Sequence, residues 1–211
     1  MKPPIKNYIQ KYYPKGQITQ WFGEHIELYK QILGLTKGHN GIDIVAPWGT
    51  PILATTTQTI VEVKDTPNGY GKHIKAIDDE YEYTYGHLSS ISVELGNIVS
   101  QGTEIGKMGN TGFVISGATP FWKYNPYAGT HLHLGGRKFR KRVGNESYNI
   151  QYSNGIQGTI LNYDNGSLGS IDLALLIEWD NTNNIRQKQL TIISLANQVI
   201  ALLKGILRVG K

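Results

Sequence analysis

Cysteine is absent from the 211-residue sequence. The chain therefore has no disulfide framework, and neither a thiolate nucleophile nor a thiolate metal ligand is available to it. Any bound metal ion must be held through nitrogen and oxygen, from histidine and carboxylate side chains. Histidine is itself sparse, with six residues in the chain, so a close grouping of histidines is informative.

A broad excess of one charge is also missing. The chain has 21 basic and 16 acidic residues, and the run RKFRKR at 137–142 supplies five of the basic ones. A nucleic-acid-binding protein needs a wider basic face, usually within a recognisable module. No nucleic acid partner is therefore expected. The run itself is typical either of a solvated strand end or of contact with an anionic polymer.

Long apolar runs are absent from both ends of the chain. The N-terminal lead segment, residues 1–16, lacks the apolar core of a secretory signal peptide. Near the C-terminus, the uncharged stretch 189–203 is shorter than the roughly 20 residues that span a bilayer. A membrane-spanning helix is not expected, and the chain is predicted either to act in the cytoplasm or to be delivered by other means.

Short β-type runs fill the region from residue 17 to residue 177. Alternating or β-branched segments such as TIVEVKD, KHIKAI and YEYTYGHL are separated by turn signals such as PNGYG and GNTG. The 25 glycines suit such a turn-rich chain. We predict one mainly β domain over 17–177, built as an antiparallel sheet or sandwich.

A different pattern follows the β region. The polar stretch 178–184 predicts a linker, and 185–211 predicts an amphipathic helix because apolar residues recur at heptad positions. These residues are Ile185, Ile192, Val199 and Ile206 at a, and Leu195, Leu202 and Val209 at d. Ile or Val at a with Leu at d favours a parallel two-stranded coil. A homodimer or partner contact, docking on the chain's own domain, and an interfacial membrane helix are the alternatives.

Two histidines stand one residue apart in GTHLHLGG, at His131 and His133. In a strand they point to the same face, about 6–7 Å apart, so both imidazoles can reach one site. His39 and Asp43 form a second pair, and the neighbouring glycines, β-branched residues and Pro47 oppose a helix there. Their even offset places both on one side of an extended chain. A single histidine is more often a hydrogen-bonded structural residue or a surface group than a ligand. The two pairs together are typical of a metal site, but patterns this short also arise by chance.

The other three histidines are interpreted from their positions in the β pattern. His87 follows the tyrosine-rich run YEYTYG and is a fifth polar candidate for the same site. His25 and His73 are interpreted as surface residues, the latter because alternation with Ile74 points its side chain outward.

Ordered sequence blocks between Ile18 and Asp172, about three quarters of the chain, resemble the lysostaphin-like (LytM-type) zinc metalloendopeptidases, which cut peptide bonds in bacterial peptidoglycan. The blocks are ITQWFGE, GHNGIDIVAPWGTPILA, PNGYGKHIKAI, YTYGHLSSISVELGNIVSQGTEIGKMGNTG, GTHLHL and GSIDLALLI. The resemblance implies a barrel-sandwich fold with an open groove.

Carried over position by position, the resemblance implies that His39, Asp43 and His133 hold one zinc ion per chain. It further implies that His87 and His131 are the catalytic residues. One of these histidines would take a proton from water and return it to the leaving amine, while the other would stabilise the oxyanion. The resemblance does not say which histidine has which role.

Two features depart from the family pattern. Sixteen residues at 113–128 precede the HxH segment, where only a few are usual, and their second half is rich in aromatic residues: Phe121, Trp122, Tyr124 and Tyr127. This predicted loop either walls the groove and changes substrate choice or packs on itself. Leu134 and Gly135 replace the usual phenylalanine and glutamate, so a role of that glutamate in orienting a ligand is in doubt.

The functional expectation is a zinc endopeptidase that hydrolyses peptidoglycan stem peptides or cross-bridges, as a phage lysin of the endolysin or virion-associated kind. It would act on the cell wall, outside the cell or in the periplasm, after release by lysis or delivery by a virion. The alternatives are a non-catalytic wall-binding or assembly module of the same fold and a bacterial wall-remodelling hydrolase.

Overall fold

The computed structural model describes residues 1–5, 18–116, 119–120, 125–144 and 148–178. These residues belong to one unit, Met1–Glu178. Beyond Glu178, the predicted linker and the predicted helix at 185–211 lie outside the described residues, as do Phe121, Trp122 and Tyr124. Within the described ranges, no helix is long and apolar enough to cross a membrane.

The described residues form thirteen strands, one α helix and one short 3-10 helix. The helices are α1 (Ile26–Leu33) and the 3-10 turn Leu173–Leu175. The strands are β1 (Ile18–Gln20), β2 (Gly41–Ile44), β3 (Pro51–Leu53), β4 (Gln58–Thr66), β5 (Gly71–Ile77), β6 (Tyr81–Ile91), β7 (Ile98–Val99), β8 (Glu104–Met108), β9 (Ile115–Ser116), β10 (Thr119–Pro120), β11 (Leu132–Arg140), β12 (Tyr148–Gln151) and β13 (Gln157–Ile160).

Eleven of these strands form one sheet, and every pairing is antiparallel. Its main path runs β1-β2-β11-β6-β5-β4-β7, with β8 added beside β6 and β13 beside β11. Strands β9 and β10 pair separately, within the segment 113–128 that was expected to be a loop. The mainly β, antiparallel fold class is confirmed.

The central strand β6 is buried on both faces, and the two faces differ in character. Tyr83 and Tyr85 point into the apolar core, where the Tyr85 hydroxyl lies 2.8 Å from Thr55 Oγ1. Glu82 and Thr84 point to the opposite face, on which Gly86 also lies, because side chains alternate along a strand. That opposite face carries the polar residues from which the site is built.

Helix α1 is not predicted by the β pattern over 17–177. Leu28 and Ile32 are four positions apart, as are Tyr29 and Leu33, and this spacing is the signal in the sequence for an apolar helix face. The helix ends at Gly34, which adopts a φ of 70°, a conformation that favours glycine. Leu28, Ile32 and Leu33 are 48%, 40% and 54% exposed, so α1 presents apolar side chains to solvent.

The first residues of the chain contact the sheet. The Lys2 backbone N–H donates to the Thr55 carbonyl, and the Leu53 N–H donates to the Pro4 carbonyl. Ile5 is buried. Residues 1–5 of the predicted lead segment therefore pack with the same unit as the strands, while the domain boundary at residue 17 stays a prediction.

Candidate metal centre

Strand pairing brings the two histidine-containing segments together. Asp43 in β2 lies directly opposite His133 in β11, and His39 precedes β2 by two residues. Ile42 and Ile44 are fully buried in the core, so Asp43 between them faces the other side of the sheet. The even offset from His39 to Asp43 then directs both side chains to one place.

Three side-chain atoms converge at this place. The distance from His39 Nε2 to His133 Nδ1 is 3.0 Å, from His133 Nδ1 to Asp43 Oδ1 3.1 Å, and from His39 Nε2 to Asp43 Oδ1 3.3 Å. Ligand atoms about 2.0–2.1 Å from a tetrahedral zinc ion lie roughly 3.3 Å apart. The donor set of two imidazole nitrogens and one carboxylate oxygen therefore fits a zinc ion in both chemistry and spacing.

A glycine and a tyrosine define the position of the His133 ring. A Cβ at Gly41 would lie 2.7 Å from His133 Cε1, so only glycine leaves room for the imidazole there. The Tyr70 ring stacks on the His133 ring with centroids 5.0 Å apart, and Asn40 Nδ2 donates a 2.8 Å hydrogen bond to the Tyr70 hydroxyl. Tyr70 and Asn40 were not singled out from the sequence, because stacking depends on strand pairing rather than on a local motif.

The electrostatics of the centre favour the protonation states that bind a cation. Burial alone would raise the pKa of Asp43, but the neighbouring His131 and hydrogen bonds from His133 and His39 bring that pKa well below its usual value. Burial lowers the pKa of His133, against the opposing effect of its hydrogen bond to Asp43. The site therefore presents a carboxylate and a neutral imidazole.

His87 and His131 lie beside the three converging atoms, with their own ring centroids 4.6 Å apart. His87 Nδ1 is 2.8 Å from the Thr111 carbonyl, and His131 Nδ1 is 2.7 Å from the Gly129 carbonyl. Because a carbonyl only accepts hydrogen bonds, each Nδ1 carries a proton, and the neutral form of each ring has its lone pair on Nε2. His131 Nε2 lies 3.8 Å from Asp43 Oδ2.

The backbone of His87 is unusual for a residue in a strand. Its φ is 62°, and the β5–β6 pairing shifts register between Lys72 and Ile74, opposite this part of β6. Regular alternation would send His87 to the face opposite Gly86, yet its ring centroid lies 6.1 Å from that of His133. The left-handed conformation and the bulge turn the side chain toward the centre. Burial, with His131 and His133 nearby, lowers the pKa of His87 to about 3.

Two cavities meet at the centre, and both are lined by Gln20, Asp43 and His131. One, of about 630 Å³, also contacts Trp48 and Tyr127, whose rings pack edge to face with centroids 5.4 Å apart. The other, of about 360 Å³, is lined by apolar residues from α1 with Phe113 and Leu168, and by the histidines and Asp43 of the centre. The two cavities, together called the groove, share these three residues and therefore meet at the candidate metal centre.

His25 is exposed, as expected, but the surface interpretation of His73 is wrong. The His73 side chain is 4% exposed, its Nδ1 contacts the Gly71 carbonyl at 2.8 Å, and its Nε2 lies 3.1 Å from Glu62 Oε1. The bulge in the β5–β6 pairing and a carboxylate from β4 are non-local features. Alternation within one segment does not reveal either of them.

The basic run at 137–142 is not uniformly solvated. Arg137 makes two hydrogen bonds to Glu82, Nε to Oε1 at 2.7 Å and Nη2 to Oε2 at 2.8 Å, and Glu82 is 1% exposed. Phe139 is buried in the core, and Lys141 pairs with exposed Asp79. Arg137 is therefore an internal ion-pair partner, which neither interpretation of the run anticipated.

A model of peptidase family M23 matches residues 37–145, half of the chain. The chain belongs to peptidase family M23. This family comprises metallopeptidases that include peptidoglycan endopeptidases. The match contains all five residues that the sequence placed in the site, while the resemblance in the sequence was drawn more widely, from Ile18 to Asp172.

Two curated relatives of this M23 chain are peptidoglycan DD-endopeptidase ShyA of Vibrio cholerae and lysostaphin of Staphylococcus simulans. ShyA is 34% identical over 95 residues, covering 45% of this chain and 19% of ShyA. Lysostaphin is 36% identical over 101 residues, covering 45% of this chain and 20% of lysostaphin. The chain thus matches about a fifth of each relative's length.

A solved structure shows the same fold. The catalytic domain of the antimicrobial peptidase lysostaphin from Staphylococcus simulans superposes with a TM-score of 0.50 at 22% identity, covering 75% of this chain and 90% of that domain. At this identity the similarity establishes the lysostaphin-like fold of the M23 chain.

Proposed function

We propose that this M23 chain is a zinc-dependent endopeptidase that hydrolyses peptide bonds in the stem peptides or cross-bridges of bacterial peptidoglycan. The observation that carries the proposal is the convergence of His39 Nε2, Asp43 Oδ1 and His133 Nδ1 at 3.0–3.3 Å, where two open cavities meet. Three protein ligands with open access are typical of a catalytic zinc site. Family membership and relatives such as ShyA support the choice of substrate.

His39, Asp43 and His133 would hold the ion. Bound there, zinc would polarise the scissile carbonyl and lower the pKa of a water ligand towards about 7. In His87 and His131, Nδ1 is hydrogen-bonded to a backbone carbonyl, which leaves Nε2 available. Each ring can therefore accept or return a proton through Nε2 at the centre. Anchoring at Nδ1 fixes the tautomer of each ring, as a proton-transfer role requires.

The groove suits an extended, uncharged peptide segment. Among the described residues that line its two cavities, lysine, arginine and glutamate are absent, and Asp43 at the centre is the one carboxylate. Trp48 and Tyr127 form an aromatic wall on one side, and α1 supplies aliphatic side chains on the other. A substrate would therefore be held by apolar contacts and backbone hydrogen bonds rather than by ion pairs.

The biological setting is proposed to be that of a phage lysin, with a bacterial wall-remodelling hydrolase as the alternative. The two settings differ in the genes that accompany the coding sequence. A neighbouring gene for a holin or a virion tail protein supports the lysin, whereas a neighbouring bacterial cell-wall operon overturns it.

Zinc content and turnover of purified peptidoglycan, measured on the same preparations, test the proposed function. Wild-type protein should hold one zinc ion per chain and release new amino termini from peptidoglycan. His133→Ala should lose both zinc and turnover because it removes a ligand. His131→Ala should retain zinc and lose turnover, because it removes a proposed catalytic group that is not a metal ligand.

The outcomes separate the candidate functions. Stoichiometric zinc without turnover on any peptidoglycan would make the chain a non-catalytic binding module of the same fold. Full activity in His133→Ala would remove that residue from the metal site. Mass analysis of products from muropeptides with defined cross-links then identifies the bond that is cut.

A further inference from the structure

One nitrogen of the central ligand His133 is left without a hydrogen bond. Nδ1 faces His39 and Asp43, whereas Nε2 is buried and has no hydrogen-bond partner among the described residues. An imidazole that binds a metal through Nδ1 carries its proton on Nε2, and metal-binding histidines almost always donate that proton to an acceptor. The geometry therefore calls for an acceptor next to His133 Nε2.

Gly135 leaves a space at the required distance. A Cβ at this position would lie 3.3 Å from His133 Nε2 and 3.6 Å from both the Asn40 carbonyl oxygen and Thr84 Cβ. A carbon atom there would make a tight contact with the nitrogen, whereas a polar atom would be close to hydrogen-bonding distance from it. The backbone of Gly135 is not in the left-handed region, so the reason for glycine here is space rather than conformation.

A polar cavity begins at the same glycine. It has a volume of about 180 Å³ and is lined by Gly135, Thr84, Glu82, Arg137, Lys75 and Asn40, among others. Gly135 pairs with Thr84 and Arg137 pairs with Glu82 across β11 and β6, so these side chains lie on the His133 face of the sheet. A site of this polarity and size can hold ordered water, at about 30 Å³ for each molecule.

The far side of the cavity offers a fixed acceptor. Both Glu82 oxygens are held by Arg137, and the Tyr152 hydroxyl also donates to Glu82. A carboxylate anchored in this way stays in place while water links it to the metal ligand. Links from histidine to carboxylate fix the tautomer and the orientation of a metal-binding ring.

We propose that an ordered water beside Gly135 accepts the hydrogen bond from His133 Nε2–H and connects it to Thr84 and Glu82, which makes Gly135 a positioning residue for the metal ligand. The proposal rests on the proposed function, because it takes His133 Nδ1 as a zinc ligand. Tyr70 holds the plane of the ring by stacking, and the water fixes the rotation of the ring within that plane.

A matched pair of substitutions at one position tests the proposal. Gly135→Ala places a methyl group where the water would sit and offers no acceptor, so zinc affinity should fall by about 10- to 100-fold. Gly135→Ser adds similar bulk but brings a hydroxyl that can accept from Nε2–H, so affinity should return to within a few-fold of wild type. Zinc affinity is measured on the full chain by competition with a chromophoric chelator, and thermal unfolding of the zinc-free forms checks folding.

A second readout observes the hydrogen bond itself. In zinc-loaded protein with ¹⁵N-labelled histidine, the His133 Nε2 proton should give a resolved signal with a cross-peak to a long-lived water, and Gly135→Ala should abolish that cross-peak. Zinc binding by Gly135→Ala equal to wild type, or equal losses in the Ala and Ser variants, would overturn the inference while leaving the proposed function intact. Wild-type protein that binds no zinc would defeat both.

Discussion

At the scale of single residues, the geometry of the centre depends on glycines, which leave space, as well as on the side chains that converge there. The His133 ring occupies space that a Cβ at Gly41 would fill. The sequence motifs indicated His39, Asp43, His131 and His133 because HxxxD and HxH spacings carry the ligands themselves. They did not indicate the glycine that makes room for the ring, because that contact joins two distant strands.

His87 is the residue whose placement depends most on backbone conformation. A regular strand pattern would direct the His87 side chain to the face opposite Gly86. In the structure, a φ of 62° at His87 turns the side chain toward the site instead. Asparagine adopts this left-handed region more readily than most residues, while β-branched residues are strongly disfavoured there. Two substitutions therefore separate the role of the imidazole from that of the backbone.

His87→Asn should abolish peptidoglycan turnover, keep the zinc ion and leave the fold intact. His87→Val should also abolish turnover, and it should lower the free energy of unfolding by about 1–2 kcal/mol more than the Asn variant because valine is strained at this φ. Urea unfolding of both zinc-free variants measures the difference. Equal stability of the two variants would show that the left-handed conformation does not constrain this position.

At the level of strands and helices, regular patterns were predictable and their interruptions were not. The alternating runs in the sequence correspond to β4, β5 and β6, which form the centre of the sheet. Helix α1 has only eight residues and lies within a β-rich region. Its apolar pattern is too short to stand out from the surrounding strand pattern, so the helix was not predicted. His73 was misplaced because a bulge and a partner from the adjacent strand, Glu62, decide its burial.

The cluster around Glu62 predicts how stability responds to acid. A hydrogen bond from His73, together with ion pairs to Lys64 and Lys75 and despite the opposing effect of burial, holds the pKa of Glu62 well below its usual value of 4.5. The folded state therefore binds a proton at Glu62 more weakly than the unfolded chain does. This contribution to stability is fully present above the unfolded pKa and is lost as the pH falls below about 4.5 towards the folded pKa.

Glu62→Gln should accordingly be less stable than wild type at pH 6, and the difference should shrink steadily as the pH falls from about 5 to about 2. Denaturant unfolding of the zinc-free proteins at several pH values gives this comparison. Asp65→Asn, which alters an exposed carboxylate on the same strand, is the control. A stability difference that is constant with pH would show that Glu62 acts through packing rather than charge.

For the whole molecule, the predictions for the β unit and for the C-terminal segment have different bases. The antiparallel fold follows from alternation and turn signals spread along the sequence, and the groove follows from how the sheet and α1 are arranged. The linker at 178–184 is predicted from its polar composition, and the helix at 185–211 is predicted from the heptad pattern. We propose from this pattern that the segment mediates self-association.

Replacing Ile192 and Val199 with aspartate should therefore convert a dimer of the full chain into a monomer, because both are predicted at the a positions of the heptad. Analytical ultracentrifugation measures the mass, and zinc binding should be unchanged since the centre lies in the β unit. Substituting Gln187 and Gln198, on the polar face, with aspartate is the matched control. A wild-type chain that is monomeric at high concentration would contradict self-association.

The central claim is that His39, Asp43 and His133 share one zinc ion. X-ray anomalous diffraction from crystals of the full chain grown with one equivalent of zinc tests it most directly. The account predicts a single peak about 2.0–2.2 Å from His39 Nε2, an Asp43 carboxylate oxygen and His133 Nδ1. A peak bound elsewhere, or an arrangement in which these three atoms lie too far apart to contact a common ion, would contradict it.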